Sequence, residues 1–350
     1  MNQQNPMIWG QPTFEQKRLL QAAVETSEKA IAYWEEWSAS VNIETLDSES
    51  YRLLPLLYRN LSQYHIGDRP LAKLKGVYRR TWCENQVIFK KLTEILQEFE
   101  AASIPSLLIK DAALCLLYYS DIGERTIHNF EILVCGEDAI TAMKILSRMG
   151  WKPKKPIPDR LSPSDCVWEF TTQSNLSLML RWHLFWDAFG EPLEETFWQG
   201  ARKTAVGDTF THVLHPTDRL FYISVAGGSR TPVVPLVRLA DACRILQVDG
   251  DEIDGDELRD RVKTFRFILP WQNFIKAFED TFHVPFVNPT VSTSQTLSAS
   301  QFERQEWRCL HSTSHSPIKR VLNKYFTYQR RFGAPEYRVN WVKFFRTLKT

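Results

Sequence analysis

The stretch that decides the fold runs Ile104-Pro-Ser-Leu-Leu-Ile-Lys-Asp-Ala-Ala-Leu-Cys-Leu-Leu-Tyr-Tyr-Ser-Asp-Ile-Gly-Glu-Arg-Thr-Ile-His-Asn-Phe-Glu-Ile-Leu-Val134. Its apolar run at 105–109 predicts a short strand, residues 112–119 a buried helix, and residues 130–134 a second strand. Side chains alternate between the two faces of a strand, so Asn129 and Glu131 share the face opposite Phe130. Strand, helix and strand in this order indicate an α/β core.

The same rhythm extends on both sides of this stretch. Apolar residues recur at helical spacing between 14 and 100, and a helix at 139–146 is expected to end at Gly150, because glycine readily adopts the left-handed cap conformation. Val167–Thr172 and Leu178–Trp182 predict two further strands. We therefore predict an α/β (α+β) fold, with a small mixed sheet flanked by N- and C-terminal helical regions.

Five segments follow from these patterns and from composition. They are an N-terminal helical region (1–100), an α/β core (101–185), a C-terminal helical region (186–285), a Ser/Thr-rich linker with a helix (286–315) and a basic aromatic tail (316–350).

Composition indicates a globular protein, since 43% of the 350 residues are apolar and twelve are Trp. The amino terminus has no secretory pattern and no apolar run approaches the roughly 18 residues of a membrane span, so the default expectation is a cytoplasmic protein. The six cysteines are far apart and form no Cys-x-x-Cys pair, which predicts reduced thiols rather than a zinc site or a disulfide framework.

Three features together resemble the uncharacterised nucleotidyltransferase family. They are the 104–134 stretch, the apolar helix Leu53–Leu61 before it, and the run Leu178-Met-Leu-Arg-Trp-His-Leu184 after it. In that family a strand ends in Lys-Gly, an Arg comes later, Asp-x-Asp on the next strand holds metal ions, and a further strand carries a third acid. The resemblance implies a nucleotidyltransferase fold, with Mg²⁺ and ATP or another nucleoside triphosphate as ligands.

The chain departs from that pattern where the chemistry needs carboxylates. Asn129 and Glu131 stand at the Asp pair, Met179 stands at the third acid, and Arg181 replaces a His. Asp111 replaces the Gly, which adds a negative charge where phosphates approach. Mg²⁺ is a hard ion that is held by oxygen ligands, so this set predicts weak metal affinity. Arg181 shares a strand face with Met179 and is predicted to form an ion pair with Glu131 in place of the metal.

Two functional hypotheses remain open on the sequence. In the first, the chain is a pseudoenzyme with degenerate catalytic positions at Glu131, Asn129 and Asp111, and it binds a nucleotide or a partner. In the second, those three residues form a relaxed metal site, in which Glu131 is a candidate metal ligand, and the chain transfers a nucleoside monophosphate. The candidate nucleotide contacts are Lys110, Arg125 and Arg181.

The tail from 316 to 350 carries nine Lys and Arg and one acid, Glu336, so its net charge is +8. The whole chain carries +2, which leaves −6 on the other 315 residues. Basic and aromatic residues interleave in the tail, a pattern that suits RNA or single-stranded nucleic acid, an anionic membrane surface, or a peptide or protein partner. The aromatics could equally pack on the body of the protein. The residues singled out for partner binding are Arg330, Arg331, Arg338, Trp341, Lys343 and Arg346.

Overall fold

The computed structural model describes residues 10–64, 68–162, 165–185, 191–226, 233–286, 297–312 and 317–332. The chain forms two compact units. The terminal unit combines residues 1–53 with 219–350, and the central unit consists of residues 54–218.

Helices precede the sheet, as predicted. They are α1 (Phe14–Val24), α2 (Lys29–Ser40), α3 (Ser48–Tyr51), α4 (Leu54–Leu61) and α5 (Asp68–Ala101). α1 begins at a capping box in which the Thr13 hydroxyl accepts from the Gln16 N–H and the Gln16 side chain accepts from the Thr13 N–H. α4 and the 34-residue α5 belong to the central unit.

The central unit contains a seven-stranded mixed sheet with the order β3-β4-β5-β2-β1-β7-β6. β1 is antiparallel to β2 and parallel to β7, while β2 is parallel to β5. The predicted α/β fold with a mixed sheet is thus confirmed. The elements in chain order are β1 (Ser106–Ile109), α6 (Lys110–Tyr118), β2 (Asn129–Val134), α7 (Ala139–Arg148), β3 (Lys152–Pro153), β4 (Val167–Thr171), β5 (Ser177–Arg181), α8 (Glu191–Gln199), β6 (Arg202–Val206) and β7 (Thr209–Val213).

One face of this sheet is covered by a hydrophobic core. Alternate residues of β2 and β5 point into it, and α5 and α7 supply the opposing side chains. α7 ends two residues before Gly150, which has φ +89°, as the sequence predicts. The strand residues that enter this core are Phe130, Ile132, Val134, Leu178 and Leu180.

The hairpin of β6 and β7 corrects the expectation that residues 186–285 are helical. Gly207 has φ +57° and, with Asp208, makes the turn between the two strands. β7 alternates buried and exposed residues, and it extends the sheet by pairing in parallel with β1. Short strands with this pattern are hard to separate from helix by periodicity alone, although the run from Thr209 to Leu214 does have strand character.

The rest of the chain is helical in its described parts, with α9 (Pro216–Val225), α10 (Leu236–Asp249), α11 (Gly255–Thr264), α12 (Ile268–Phe282), α13 (Gln301–Leu310) and α14 (Pro317–Phe332). None of the helices in the described ranges combines the length and the apolar character that a membrane crossing requires.

The first part of the tail forms α14, which packs into the terminal unit. Phe326 and Tyr328 are buried, and the Phe326 ring lies edge-on to Phe302 of α13. For these two residues the structure follows the alternative in which the aromatics of the tail pack on the protein, which removes their apolar side chains from water.

Candidate functional site

The site is centred on Glu131, in the middle of β2. Glu131 lies opposite Ile109 of β1 and Met179 of β5 in the strand register. Its side chain points away from the core that holds Phe130 and Ile132, as the predicted alternation requires. It is nevertheless only 4% exposed, so its charge needs partners inside the protein.

Two cations supply those partners. The Lys110 ammonium lies 2.5 Å from Oε1 of Glu131, and Nη1 of Arg181 lies 3.1 Å from Oε2. The predicted pairing of Arg181 with Glu131 is therefore found across the adjacent strands β2 and β5. The contact with Lys110 was not predicted. Both carboxylate oxygens are engaged by fixed positive charges, and the three side chains together carry +1.

Arg181 is held firmly at the end of β5. Its Nε donates to the carbonyl of His183 and its Nη2 to the carbonyl of Leu184, both at 3.2 Å. The side chain is 2% exposed. A guanidinium has five N–H donors in a rigid fork, so these carbonyls and Glu131 together fix its orientation.

Lys110 reaches Glu131 from an unusual backbone conformation. It follows the last residue of β1 and has φ +56°. This is the left-handed region of backbone conformation, which residues other than glycine rarely adopt. Its side chain is 29% exposed, the largest exposure in the cluster. Backbone strain of this kind often marks a functional position.

Asp111 belongs to a second ion pair. Its Oδ1 accepts from Nη2 of Arg125 at 2.8 Å, and Nη1 of Arg125 donates to the carbonyl of Thr126 at 2.5 Å. The Arg125 side chain is 2% exposed. The Asp111 carboxylate thus neutralises the charge of Arg125. The second hypothesis instead placed Asp111 near Glu131 as a metal ligand.

Polar contacts from α5 fix the loop that carries Arg125. Asn85 donates to the carbonyls of Ile122 and Arg125 at 2.5 and 2.7 Å. The Tyr78 hydroxyl donates to Oδ1 of Asp121 at 2.8 Å. Burial, followed by the hydrogen bond to Asp121 and the charge of that carboxylate, raises the pKa of Tyr78 to about 12. These supports were missed by the sequence reasoning, because they join residues 37 to 43 positions apart.

The same loop leaves little space near Tyr78. A Cβ at Gly123 would lie 2.6 Å from the Tyr78 ring, so only glycine fits without a shift. Ser120 donates to Glu124 at 2.5 Å, and Arg59 of α4 lies 3.5 Å from the same carboxylate. The loop is therefore held by several side chains of α4 and α5.

The residues around Glu131 do not fit a Mg²⁺ ion. Met179, directly opposite Glu131, offers a soft thioether instead of an oxygen. Asn129, half-buried at the start of β2, offers only a neutral amide oxygen. Among the described residues, no three or more His, Cys, Asp or Glu side chains lie close enough together to hold a metal ion.

Of the residues predicted to bind a partner, the structure describes the side chain of Arg330. Arg330 is buried in the terminal unit, with Nε 2.5 Å from Oε1 of Glu306 and Nη1 and Nη2 donating to the carbonyls of Phe265 and Arg266 at 3.0 and 2.9 Å. This side chain supports α14 within the unit. The side chains of Arg331, Arg338, Trp341, Lys343 and Arg346 fall outside the described residues.

The sheet, the Lys110–Glu131–Arg181 cluster and the Asp111–Arg125 pair lie in the region that a known family covers. The model of the uncharacterised nucleotidyltransferases matches residues 48–282, about two thirds of the chain. The chain belongs to this family. Its membership confirms the resemblance from which the site residues were chosen, and it leaves their roles as predictions.

Comparisons with individual proteins add little to the family assignment. None of the curated proteins matches this chain significantly. Among solved structures, the chain is similar to an antigenic nucleotidyltransferase-like protein from Paracoccidioides brasiliensis, at 12% identity and a TM-score of 0.34. That similarity covers 56% of this chain and 96% of the other.

Proposed function

We propose that this member of the nucleotidyltransferase family binds a nucleotide, or a partner that presents a phosphate, without transferring a nucleotidyl group. The observation that carries the proposal is the pairing of both Glu131 oxygens with Lys110 and Arg181. Nucleotidyl transfer needs carboxylates that hold metal ions against the developing charge. Here the remaining carboxylate is already neutralised by side chains.

Energetics favour the ion pairs over a metal. A Mg²⁺ ion on Glu131 would have to displace Lys110, Arg181 or both, and breaking a buried pair costs about 3–5 kcal/mol. It would gain one carboxylate, one amide oxygen from Asn129 and no oxygen from Met179. Mg²⁺ also loses its bound water reluctantly. Two oxygen ligands would therefore offset little of the cost of breaking the buried ion pairs.

Charge and exposure make the cluster suitable for a phosphate. Lys110, Arg181 and Glu131 together carry +1, and the Lys110 side chain is the most exposed of the three. An ammonium presents three donors and binds phosphate as a point charge. We infer that Lys110 makes the main phosphate contact, while Arg125 and Arg181, both 2% exposed, hold the surrounding structure.

The alternative is an active metal-dependent nucleotidyltransferase using Glu131, Asp111 and Asn129. It would require Asp111 to leave Arg125 and Glu131 to leave two cations. Two buried guanidiniums would then lose their carboxylates, which makes this alternative less favourable.

A second binding element is the C-terminal tail, for which the charge distribution is the supporting observation. Residues 316–350 carry a net charge of +8, whereas the other 315 residues together carry −6. With Arg330 engaged in the terminal unit, Arg331 and residues 333–350 remain the candidates for contact with RNA or with a protein or peptide. The cytoplasmic location expected from the sequence also stays a prediction.

A transfer assay with nucleotides labelled at the α-phosphate tests this proposal. The unmodified protein is incubated with each labelled triphosphate, Mg²⁺ or Mn²⁺, and mixed protein and RNA acceptors. We expect no labelled product above the level of a Glu131→Gln variant. Incorporation by the unmodified protein that disappears in Glu131→Gln would establish a working enzyme and overturn the proposal.

A further inference from the structure

The seven-stranded sheet has an open edge at β6. β7 pairs with one side of β6, and no strand among the described residues pairs with the other side. The opposite edge of the sheet is formed by β3, which has only two residues, Lys152 and Pro153. A very short strand that contains proline is a common protection of a sheet edge, because proline has no N–H to offer a further strand. β6 has five residues and no proline, so it lacks this protection.

The register of the β6–β7 hairpin indicates which main-chain groups point outward. Val206 and Thr209 flank the two-residue turn and therefore form a hydrogen-bonded pair. Such pairs alternate with pairs that exchange no bonds, so Lys203 and Ala205 turn their N–H and C=O groups away from β7. In the described part of the chain these four groups have no hydrogen-bond partner. They form a row of donors and acceptors that an added strand would complete.

The side chains beside this row form an exposed apolar and basic surface. Lys203, Ala205 and Phe210 lie on one face of the hairpin, since directly opposed residues of paired strands share a face. Phe210 is 51% exposed, and the residue opposite it, Ala205, is too small to cover its ring. Nζ of Lys203 lies 4.3 Å from the centroid of this ring and forms no ion pair with any described residue. Neither β6 nor β7 contains an acid.

We propose that β6 binds an extended peptide segment of a partner protein, which adds to the sheet as an eighth strand. The main-chain groups of Lys203 and Ala205 supply the hydrogen bonds, and the neighbouring side chains select the sequence. Opposite Ala205 the edge accepts an apolar residue, which would cover the Phe210 ring. Opposite Lys203 it accepts Glu or Asp. These two positions are two residues apart, so the segment carries an apolar and an acidic residue on the same face.

Charge favours an acidic partner segment over a second copy of this chain. Two β6 strands side by side would bring together four cations, Arg202 and Lys203 from each copy, with no acid in either strand. These charges repel one another, and lysine on an edge strand is a known protection against pairing between copies. An acidic segment would instead neutralise Lys203. β7 and β1 separate β6 from β2, so this edge is distinct from the Glu131 cluster and does not depend on nucleotide binding.

Calorimetric titration of the full chain with the peptide acetyl-Thr-Glu-Thr-Ile-Thr-Glu-Thr-amide tests the proposal. Its isoleucine can lie opposite Ala205 with a glutamate opposite Lys203 in either strand direction. We expect saturable binding that weakens about fivefold in Lys203→Glu, because an attractive pair becomes a repulsive one. A second peptide with lysine in place of both glutamates should bind Lys203→Glu more tightly than it binds the unmodified protein. Failure of the unmodified protein to bind the first peptide overturns the proposal.

N-methylated versions of the first peptide separate strand addition from contact through side chains alone. Alternate N–H groups of a paired strand face its neighbour, so methylation at alternate positions should weaken binding about tenfold or more. Methylation at the positions between them should have little effect. Ala205→Pro makes the matched change in the protein, since it removes an outward N–H and keeps the bonds of Thr204 and Val206 to β7. It should weaken binding to a similar extent.

Amide hydrogen exchange of the unmodified protein gives a readout that needs no variant. The amides of Lys203 and Ala205 should exchange faster than those of Thr204 and Val206 in the free protein, and saturating peptide should slow them. Unchanged exchange at Lys203 and Ala205, or an equal effect of N-methylation at every position, overturns strand addition. Self-association in sedimentation that is lost in Ala205→Pro would assign the edge to a second copy and overturn the proposed partner.

Discussion

At the scale of single residues, the site is a buried carboxylate that two cations neutralise. Glu131 is 4% exposed and Arg181 2% exposed, so neither charge is stabilised by bulk water. Such a pair owes its favourable energy to close geometry and to further hydrogen bonds, which Arg181 finds at two carbonyls. The three paired side chains are favourable together, whereas removal of one of them would leave a buried charge without its full set of partners.

Removing one member of the set should therefore cost more than removing two. Arg181→Met is expected to lower the free energy of unfolding by about 3 kcal/mol or more, because Glu131 keeps only Lys110. Adding Glu131→Gln to Arg181→Met should recover part of this loss. Urea denaturation of both variants measures the difference, and equal stability of the single and double variants would show that the pair is not coupled.

Restoring a single acid should not restore a metal site. Asn129→Asp adds one carboxylate, but Glu131 stays paired and Met179 still offers no oxygen. We expect Mg²⁺ titration of this variant to give no more heat than the unmodified protein. The triple variant Asn129→Asp, Met179→Asp, Arg181→His supplies the missing oxygens and should bind Mg²⁺ more strongly. Tight Mg²⁺ binding by Asn129→Asp alone would contradict this view of the site.

At the scale of elements, the loop between α6 and β2 is positioned by α5. Tyr78 and Asn85 of α5 hold the loop at Asp121, Ile122 and Arg125. The position of Arg125, and through it the balance of charge at Asp111, thus depends on side chains of a helix about 40 residues earlier in the chain.

Tyr78 should give the central unit a specific sensitivity to alkaline pH. Its pKa is about 12 in the folded protein and about 10 in an unfolded chain, so the folded state disfavours ionisation. The stability that this group contributes is complete below pH 10 and declines as the pH rises from 10 to 12. Tyr78→Phe should be less stable at pH 8 by about 1 kcal/mol, from loss of the bond to Asp121.

The decline in stability above pH 10 should then be shallower in Tyr78→Phe than in the unmodified protein. Urea denaturation at several pH values between 8 and 11.5 measures both slopes. Tyr51→Phe, at an exposed tyrosine, serves as the matched control. Identical slopes in the unmodified protein and Tyr78→Phe would assign the alkaline sensitivity to other groups.

The sequence could predict those features of the site that depend on residues close together in the chain. Alternation in 129–134 identified the two faces of β2, and the i, i+2 spacing of Met179 and Arg181 brought Arg181 to Glu131. The contact of Lys110 with Glu131 was harder to predict. It depends on a left-handed backbone conformation at Lys110, which a Lys-Asp dipeptide does not indicate. The Asp111–Arg125 pair and the α5 supports depend on how the chain returns on itself, which periodicity does not report.

At the scale of the whole molecule, the described part of the basic tail packs in the terminal unit. α14 contributes Phe326, Tyr328 and Arg330 to the terminal unit. Residues 333–350 contain Arg338, Lys343, Arg346 and Lys349, together with Trp341 and other aromatics. The prediction of partner binding therefore stays with Arg331 and with residues 333–350.

Two truncations separate these parts. Ending the chain after Phe332 should leave stability nearly unchanged, whereas ending it after Ser316 should destabilise the protein by several kcal/mol, since it leaves Glu306 without Arg330. If residues 333–350 bind RNA, the chain that ends after Phe332 should no longer bind it. The affinity of the full chain should then fall steeply with salt, because neutralised phosphates release counterions. Salt-independent binding, or binding retained after both truncations, would place the RNA contact outside the tail.

The central claim is that Lys110 and Arg181 occupy the place of the metal at Glu131. Calorimetric titration of ATP in Mg²⁺ and again in EDTA tests it most directly. ATP should bind without a divalent cation, with an affinity in EDTA equal to or higher than that in Mg²⁺, because the positive charge is already built into the site. ATP that binds only when Mg²⁺ is present, and loses that binding in Glu131→Gln, would contradict the claim.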